Sequence, residues 1–271
     1  MKKLVLFTLS VCFVGLSAFN PQTKMPEYNK DDNGYRKIIH KAFQPGEKLK
    51  YRLHYGIIDA GEAVLEVKEH PTTIAGRKIY HMVGNGYSKG TFDWFFKVRD
   101  RYETYMDVDG VFPWLFVRRV DEGGYKINQD YKFYQNKNKV DNGEGKTFDT
   151  PEGIQDMLSA FYYARTIDFS KAKKGDVFTV TTFVDDEIFP LQIKYAGTAV
   201  LKMDGVKYNT LKFHPVVQKG RIFKNEEDLT VYISNDGNKI PLMAQAKVLV
   251  GSIKMELIES EGLANPLNIV E

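Results

Sequence analysis

Gly86-Tyr87-Ser88-Lys89-Gly90 fits G-x-S-x-G, the pattern in which a serine nucleophile stands on a strained strand-to-helix turn. Asp185, Asp186 and His214 follow in the order serine, acid, histidine that such a hydrolase uses. The chemistry also demands a buried strand before the serine, a helix after it and a parallel sheet around it. Here the residues after the motif soon become an alternating strand, and no helix-rich background surrounds it. The motif reads as a turn, in which Gly86 and Gly90 supply dihedrals that other residues avoid. No catalytic residue is assigned.

The remaining reactive types are no more specific. The histidines, His40, His54, His70, His81 and His214, show neither H-x-x-x-H nor H-E-x-x-H spacing. His54 and His81 fall in strand patterns and could meet across a sheet, but satisfied or surface histidines are the default. The carboxylates Glu122, Asp185, Asp186, Glu187, Glu226, Glu227 and Asp228 adjoin turns or edges, and nothing in their spacing brings two to one cleft as glycoside hydrolysis needs. Asp107-Val108-Asp109-Gly110 lacks the downstream ligands of a calcium loop and reads as a hairpin turn. Arg118, Arg119 and Arg165 read as salt-bridge partners, with an anionic head group as the alternative. No metal and no cofactor is expected.

Aromatic residues carry the sharper signal. Trp94-Phe95-Phe96 cannot all face one side of a strand, so they predict a tight or helical turn with apolar groups facing two ways. Tyr87, Trp94, Phe95, Phe96 and Trp114 are the candidates for the wall of an apolar pocket. The alternative is an aromatic plug closing one end of a barrel.

These residues must be positioned by strands. Leu49-Lys50-Tyr51-Arg52-Leu53-His54-Tyr55 alternates apolar with polar, as do Ala63–Lys68, Phe96–Glu103 and Phe178–Phe183. Turn dipeptides recur at Ala75-Gly76, Asp109-Gly110, Gly123-Gly124, Asp204-Gly205 and Asp236-Gly237. The pattern predicts an all-β antiparallel chain with one linking helix, its curved sheets forming an open barrel or two related half-barrel units. For the helix, Thr150 can cap, Pro151 suits the first position, and Ile154, Met157, Leu158, Phe161 and Tyr162 share one face. Arg165 follows near its end, where a cation suits the helix dipole.

An internal repeat is visible. Ala60-Gly61-Glu62-Ala63-Val64-Leu65 and Ala196-Gly197-Thr198-Ala199-Val200-Leu201 differ only at the third residue. Tyr105-Met106-Asp107-Val108-Asp109-Gly110 aligns with Tyr232-Ile233-Ser234-Asn235-Asp236-Gly237, and Pro113 and Pro241 follow in their respective copies. The organisation expected is a signal peptide over 1–18, a flexible lead-in over 19–42, a first β unit over 43–136, a loop and helix linker over 137–174 and a second β unit over 175–271. Convergent strand-turn patterning is the alternative to duplication.

The leader carries Lys2 and Lys3 before an apolar run ending in Gly15, Leu16, Ser17 and Ala18, the pattern of a secretory signal. Cys12 is the only cysteine and lies inside that run. As a lipid acceptor it would need a small residue where Val11 stands. The remaining chain has no thiol for disulfides, zinc or nucleophilic catalysis. Lysines and acids are interspersed and the formal net charge is +3, which excludes a nucleic-acid footprint. No later segment has the ~20 apolar residues that a spanning helix needs.

Several motifs together resemble an exported bacterial family, domain of unknown function 3108. They are Phe43-Gln44-Pro45-Gly46-Glu47-Lys48-Leu49-Lys50-Tyr51, Ala60-Gly61-Glu62-Ala63, Ser88-Lys89-Gly90, Asp156-Met157-Leu158-Ser159, Tyr232-Ile233-Ser234-Asn235-Asp236 with Ile240-Pro241, and Gly251-Ser252. The resemblance covers most of the chain and implies no activity. At the level of fold alone, the strand, D-G turn and proline pattern is similar to LolA- and LolB-type periplasmic lipoprotein carriers, which implies an unclosed barrel under a helical lid. The expectation is an exported, non-enzymatic envelope protein, periplasmic, with secretion or outer-membrane association as alternatives. Its partners would be a lipid or other hydrophobic envelope component, or an envelope protein. A structural module without a pocket and an envelope hydrolase are the competing readings.

Overall fold

The computed structural model describes residues 28–216, 228–248 and 251–270. The apolar leader over 1–18 and the acids Glu226 and Glu227 lie outside the described residues. The described residues begin with two short strands, β1 (Asn29–Lys30) and β2 (Arg36–Lys37). Then come β3 (Lys48–Tyr55), β4 (Ile58–Ile74), β5 (Arg77–Ser88), a short helix α1 (Gly90–Phe95), β6 (Arg99–Asp107), β7 (Pro113–Glu122) and β8 (Tyr125–Tyr134). Two short strands, β9 (Lys139–Asp141) and β10 (Thr147–Asp149), lead to helix α2 (Met157–Arg165). Six further strands follow: β11 (Val177–Val184), β12 (Glu187–Met203), β13 (Val206–Pro215), β14 (Leu229–Ser234), β15 (Pro241–Lys247) and β16 (Ser252–Glu261).

All but β1 and β2 join one antiparallel sheet in the order β10-β9-β8-β7-β6-β5-β4-β3-β16-β15-β14-β13-β12-β11. The sheet thus holds two six-strand meanders, β3–β8 and β11–β16, hydrogen-bonded to each other through β3 and β16, with the short β9 and β10 extending the first beyond β8. The edge strands β10 and β11 are not paired, so the barrel is open. Its two ends are held by side chains instead. Arg118 in β7 donates to Asp185 at 2.8 Å, Tyr131 in β8 to Asp186 at 3.1 Å, and Asn142 to Asp186 at 2.9 Å. The Phe183 ring lies 5.2 Å from both Tyr131 and Phe148.

The residues aligned by the sequence repeat occupy matching places in the two meanders. Strands β3 and β11 have 8 residues each, and β4 and β12 have 17 each. The β6–β7 ladder slips between Tyr105 and Met106, and the β14–β15 ladder slips between the aligned Tyr232 and Ile233. Two residues before each proline, Val111 and Lys239 take left-handed φ values of 49° and 48°. Ala60 and Ala196 are both left out of their ladders, one against β3 and the other against β13. Gly61 follows because a Cβ there would lie 2.4 Å from the Tyr87 carbonyl oxygen.

Antiparallel connectivity puts the β3–β4, β5–β6, β7–β8, β11–β12, β13–β14 and β15–β16 connections at one end, here called the mouth. The opposite end, the base, is covered by the chain's outer segments. The Arg36 guanidinium donates to the Gly110 and Val111 carbonyls in the β6–β7 connection. Asn265 and Asn268 bind Asn238 and Asp236 in the β14–β15 connection. Arg165, at the end of α2, reaches the Asn238 carbonyl at 2.9 Å.

Helix α2 starts later than the sequence suggests. Thr150, Pro151 and Ile154 precede it in non-helical backbone, since Gly153 has φ +70° and Gln155 bridges Thr182 of β11. The cap is Asp156, whose carboxylate accepts the N–H groups of Leu158 and Ser159, while Ser159 Oγ accepts the Asp156 N–H. That reciprocal pair satisfies donors a helix start otherwise leaves open. Thr104 in β6 also donates to Asp156, tying the cap to the sheet.

A buried and a half-buried group oppose each other as pH changes. Burial pushes the Asp156 carboxyl up to about 7, and burial with the nearby Arg165 and Lys239 pushes His40 down to about 4. For Asp156 the folded pKa exceeds the unfolded one, so its contribution is present in acid and is lost as pH rises through about 7. For His40 the sign is reversed: its contribution is present above the ordinary imidazole pKa and lost as pH falls toward about 4. In thermal melts across this range, His40→Gln should flatten the acid-side loss of stability and Asp156→Asn should steepen it. Unchanged slopes in both variants would refute the assignment.

Candidate functional site

The side of the sheet that faces α2 carries two contrasting rows of side chains. In the first meander Val67, Met82, Thr104, Phe116 and Tyr131 stand directly opposite one another across β4 to β8, and all five are buried. The helix packs on β5, β6 and β11 and lays Leu158 and Tyr162 into this core. The other row runs from Leu53 of β3 into the second meander, through Met255, Ala244, Val231, Phe213 and Tyr195, again directly opposite across β3, β16, β15, β14, β13 and β12. Phe213 and Tyr195 are buried, with Phe213 4.9 Å from the Phe169 ring that follows α2. Leu53, Met255, Ala244 and Val231 are only half-buried. Nearer the mouth, Ile253, Ile193 and Leu191 on the same side are half-buried too.

Strand periodicity explains both rows. Alternate residues of β3 (Leu49, Tyr51, Leu53) point to the helix side, and the register carries that side across each neighbour. The first row is covered because α2 and its cap, held by Thr104, sit against it. The second row is an apolar wall left partly exposed to solvent. Partly exposed aliphatic and thioether groups on the inner side of a barrel can take up apolar surface, at about 25 cal/mol per Å² buried.

The five aromatic candidates named from the sequence are not gathered into this wall. Tyr87 stands on the outer face, donating from its hydroxyl to Glu62 at 2.8 Å, with Lys89 and Lys50 on the same carboxylate. Trp94 and Phe95 project from α1 into solvent, 83% and 76% exposed, their rings 4.8 Å apart. Phe96 is half-buried and covers Gly123, where a Cβ would meet its ring at 2.3 Å. Trp114 is buried near the base with Ile79 and Phe112, and its Nε1 donates to Asp107 at 3.2 Å. Sequence reasoning missed Met255, Ala244 and Val231. Alternation could have placed them inward, but not the fact that the helix leaves them half-bare.

The Ser88 hydroxyl is fully occupied in holding the β5–β6 connection. It donates to Asp93, accepts the Val98 N–H at 2.8 Å, and takes a further bond from Arg99 at 3.4 Å. No histidine is among its partners. Arg99 and Ser88 hold the Asp93 carboxyl down to about 2, leaving an ionised group of low basicity. His81 binds Glu103 at 2.5 Å and His54 binds Glu256 at 3.2 Å, on strands separated by β4, so the two do not meet. Among the described residues no group of three or more His, Cys, Asp or Glu stands where it could hold a metal ion, and no helix is long and apolar enough to cross a membrane.

Comparison with known proteins agrees with this architecture. The chain resembles, with a TM-score of 0.53 and 14% identity, the crystal structure of a β-barrel-like protein of domain of unknown function DUF1849 from Brucella abortus; the match covers 81% of this chain and 98% of that one. At that identity the likeness concerns the fold alone. No curated protein matches the chain. A family described as protein of unknown function (DUF3108) matches residues 50–258, which take in both meanders from β3 to β16. The chain therefore belongs to the DUF3108 family.

Proposed function

We propose that this is a non-enzymatic, exported envelope protein that takes up an apolar ligand, of lipid type, on the inner wall formed by β3 and its second meander. The observation that carries the reading is the contrast between the two rows. The same side of one continuous sheet is buried across β4–β8, where α2 packs on β5 and β6, and left half-bare at Leu53, Met255, Ala244 and Val231. An apolar guest there would gain the burial that the helix gives the other half. The occupied Ser88 hydroxyl and the dispersed histidines favour binding over hydrolysis. The basic, apolar leader over 1–18 supports export.

The test is uptake of the fluorescent apolar probe N-phenylnaphthylamine by protein purified without detergent, combined with native mass spectrometry of the same preparation. Saturable uptake, with a bound lipid-like mass released by organic solvent, is the expected result. A bare chain that takes up no probe would overturn the reading and return attention to a structural envelope module.

A further inference from the structure

Exposed large apolar residues concentrate at the mouth: Ile57 and Ile58 on the β3–β4 hairpin, Trp94 and Phe95 on α1, Tyr125 after β7 and Ile188 after β11. Four of them come from two elements that pack together, α1 and the start of β4. Helix α1 packs on β4, and the Lys89 N–H donates to the Ala60 carbonyl at 3.0 Å, which brings the start of α1 to the β3–β4 hairpin. Ile57 is fully exposed at the hairpin apex.

Charge around this corner is biased toward cations. Asp93 is matched by Arg99, Asp59 by Arg52 at 3.9 Å, and Glu62 by both Lys89 and Lys50. Lys97, next to α1, is exposed and adds a second positive charge near Asp93. The corner therefore offers bulky apolar tips with a net positive fringe. Isoleucine, phenylalanine and tryptophan tips can enter the headgroup region, while lysine faces anionic phosphates. We infer that the corner formed by α1 and the β3–β4 hairpin docks the mouth of the barrel on an anionic lipid surface. A lipid surface suits it because the tips come from two separate turns and project, whereas a protein partner would have to present matching pockets for each. This inference does not rest on the ligand reading.

The full chain has two tryptophans, Trp94 and the buried Trp114, so a change in emission on binding reports the corner directly. With vesicles of phosphatidylcholine and phosphatidylglycerol in equal parts, a blue shift and co-flotation are expected, and both should weaken with phosphatidylcholine alone and in high salt. Trp94→Ser and Ile57→Ser should each weaken flotation roughly tenfold, while Trp94→Phe should keep flotation and lose the spectral shift. The variants also separate the corner from any contribution of the leader. Flotation unaltered by Trp94→Ser and Ile57→Ser would overturn the inference. So would a dimer by light scattering that Trp94→Ser dissociates, because the patch would then belong to a second copy. Vesicle binding without probe uptake would leave docking standing and defeat the ligand reading alone; loss of probe uptake in Trp94→Ser would place the patch in the ligand site and overturn docking.

Discussion

Arg165→Met should destabilise the fold by about 3–5 kcal/mol, a fall in Tm of roughly 10 °C for a domain of this size. Arg165 closes α2 and is buried, with its side chain 2% exposed and that of Glu47 at 0%. Its fork meets both carboxylate oxygens of Glu47 at 2.6 and 2.7 Å, and its remaining donors reach the Ala42 and Asn238 carbonyls at 2.7 and 2.9 Å. It also lies over the rings of Phe43, Phe161 and Tyr162. One side chain thus joins the helix, the segment entering β3 and the β14–β15 connection. Methionine keeps the apolar stem but leaves the Glu47 carboxylate buried and unpaired, which is the costly half of such a change. Arg165→Lys should lose less, because the charge stays while the planar fork is gone. Adding Glu47→Leu to Arg165→Met should recover part of the loss, since the stranded charge is removed. Denaturant unfolding of the wild type, Arg165→Met, Glu47→Leu and the double variant measures the coupling. A double variant no better than Arg165→Met would mean that the carbonyl bonds and the rings, not the ion pair, hold the helix end.

Met255→Glu should weaken uptake of the apolar probe by about a hundredfold or more, because a carboxylate set in an apolar contact costs several kcal/mol when it loses its water. The same substitution should move Tm by only a few degrees. Met255 is half-buried, and a glutamate there can keep its head hydrated in the free protein. Its neighbours in the row, Leu53 and Ala244, are directly opposite it, so the charge would stand in the middle of the wall. Ala244→Phe approaches the same site by volume and should block uptake without adding charge. As a control, Phe116→Ala, in the sealed row beneath α2, should cost about 3–5 kcal/mol of stability. Equal probe uptake in wild type, Met255→Glu and Ala244→Phe would place any ligand elsewhere.

The two meanders clarify why repetition in the sequence carried so much of the fold. The aligned Tyr105 and Tyr232 both sit at a ladder slip, and Val111 and Lys239 both take a left-handed turn two residues before a proline. Those are local devices: a bulge and a tight turn depend on a few adjacent residues, so they leave a readable trace. The boundary of α2 left a weaker trace. Thr150-Pro151 has the chemistry of a helix start, but the backbone of residues 150–155 is engaged elsewhere, with the Thr150 N–H on the Asn138 carbonyl and the Gln155 N–H on the Thr181 carbonyl. The aspartate six residues later captured the cap because Thr104 of β6 could also reach it.

The sequence by itself determined the strand alternation, the antiparallel class, the turn positions and the presence of one substantial helix, since each follows from periodicity and turn chemistry within a dozen residues. It also exposed Trp94-Phe95-Phe96 as a group that could not lie flat in a strand, and α1 is there. Tertiary structure alone decided which apolar residues are sealed and which are left half-bare. Leu53 and Leu65 are both inward-facing leucines of alternating strands. One is half-buried and the other is buried, because the helix sits over β5, β6 and β11. Burial of a side chain depends on what packs against it from far along the chain, and no local pattern encodes that distance.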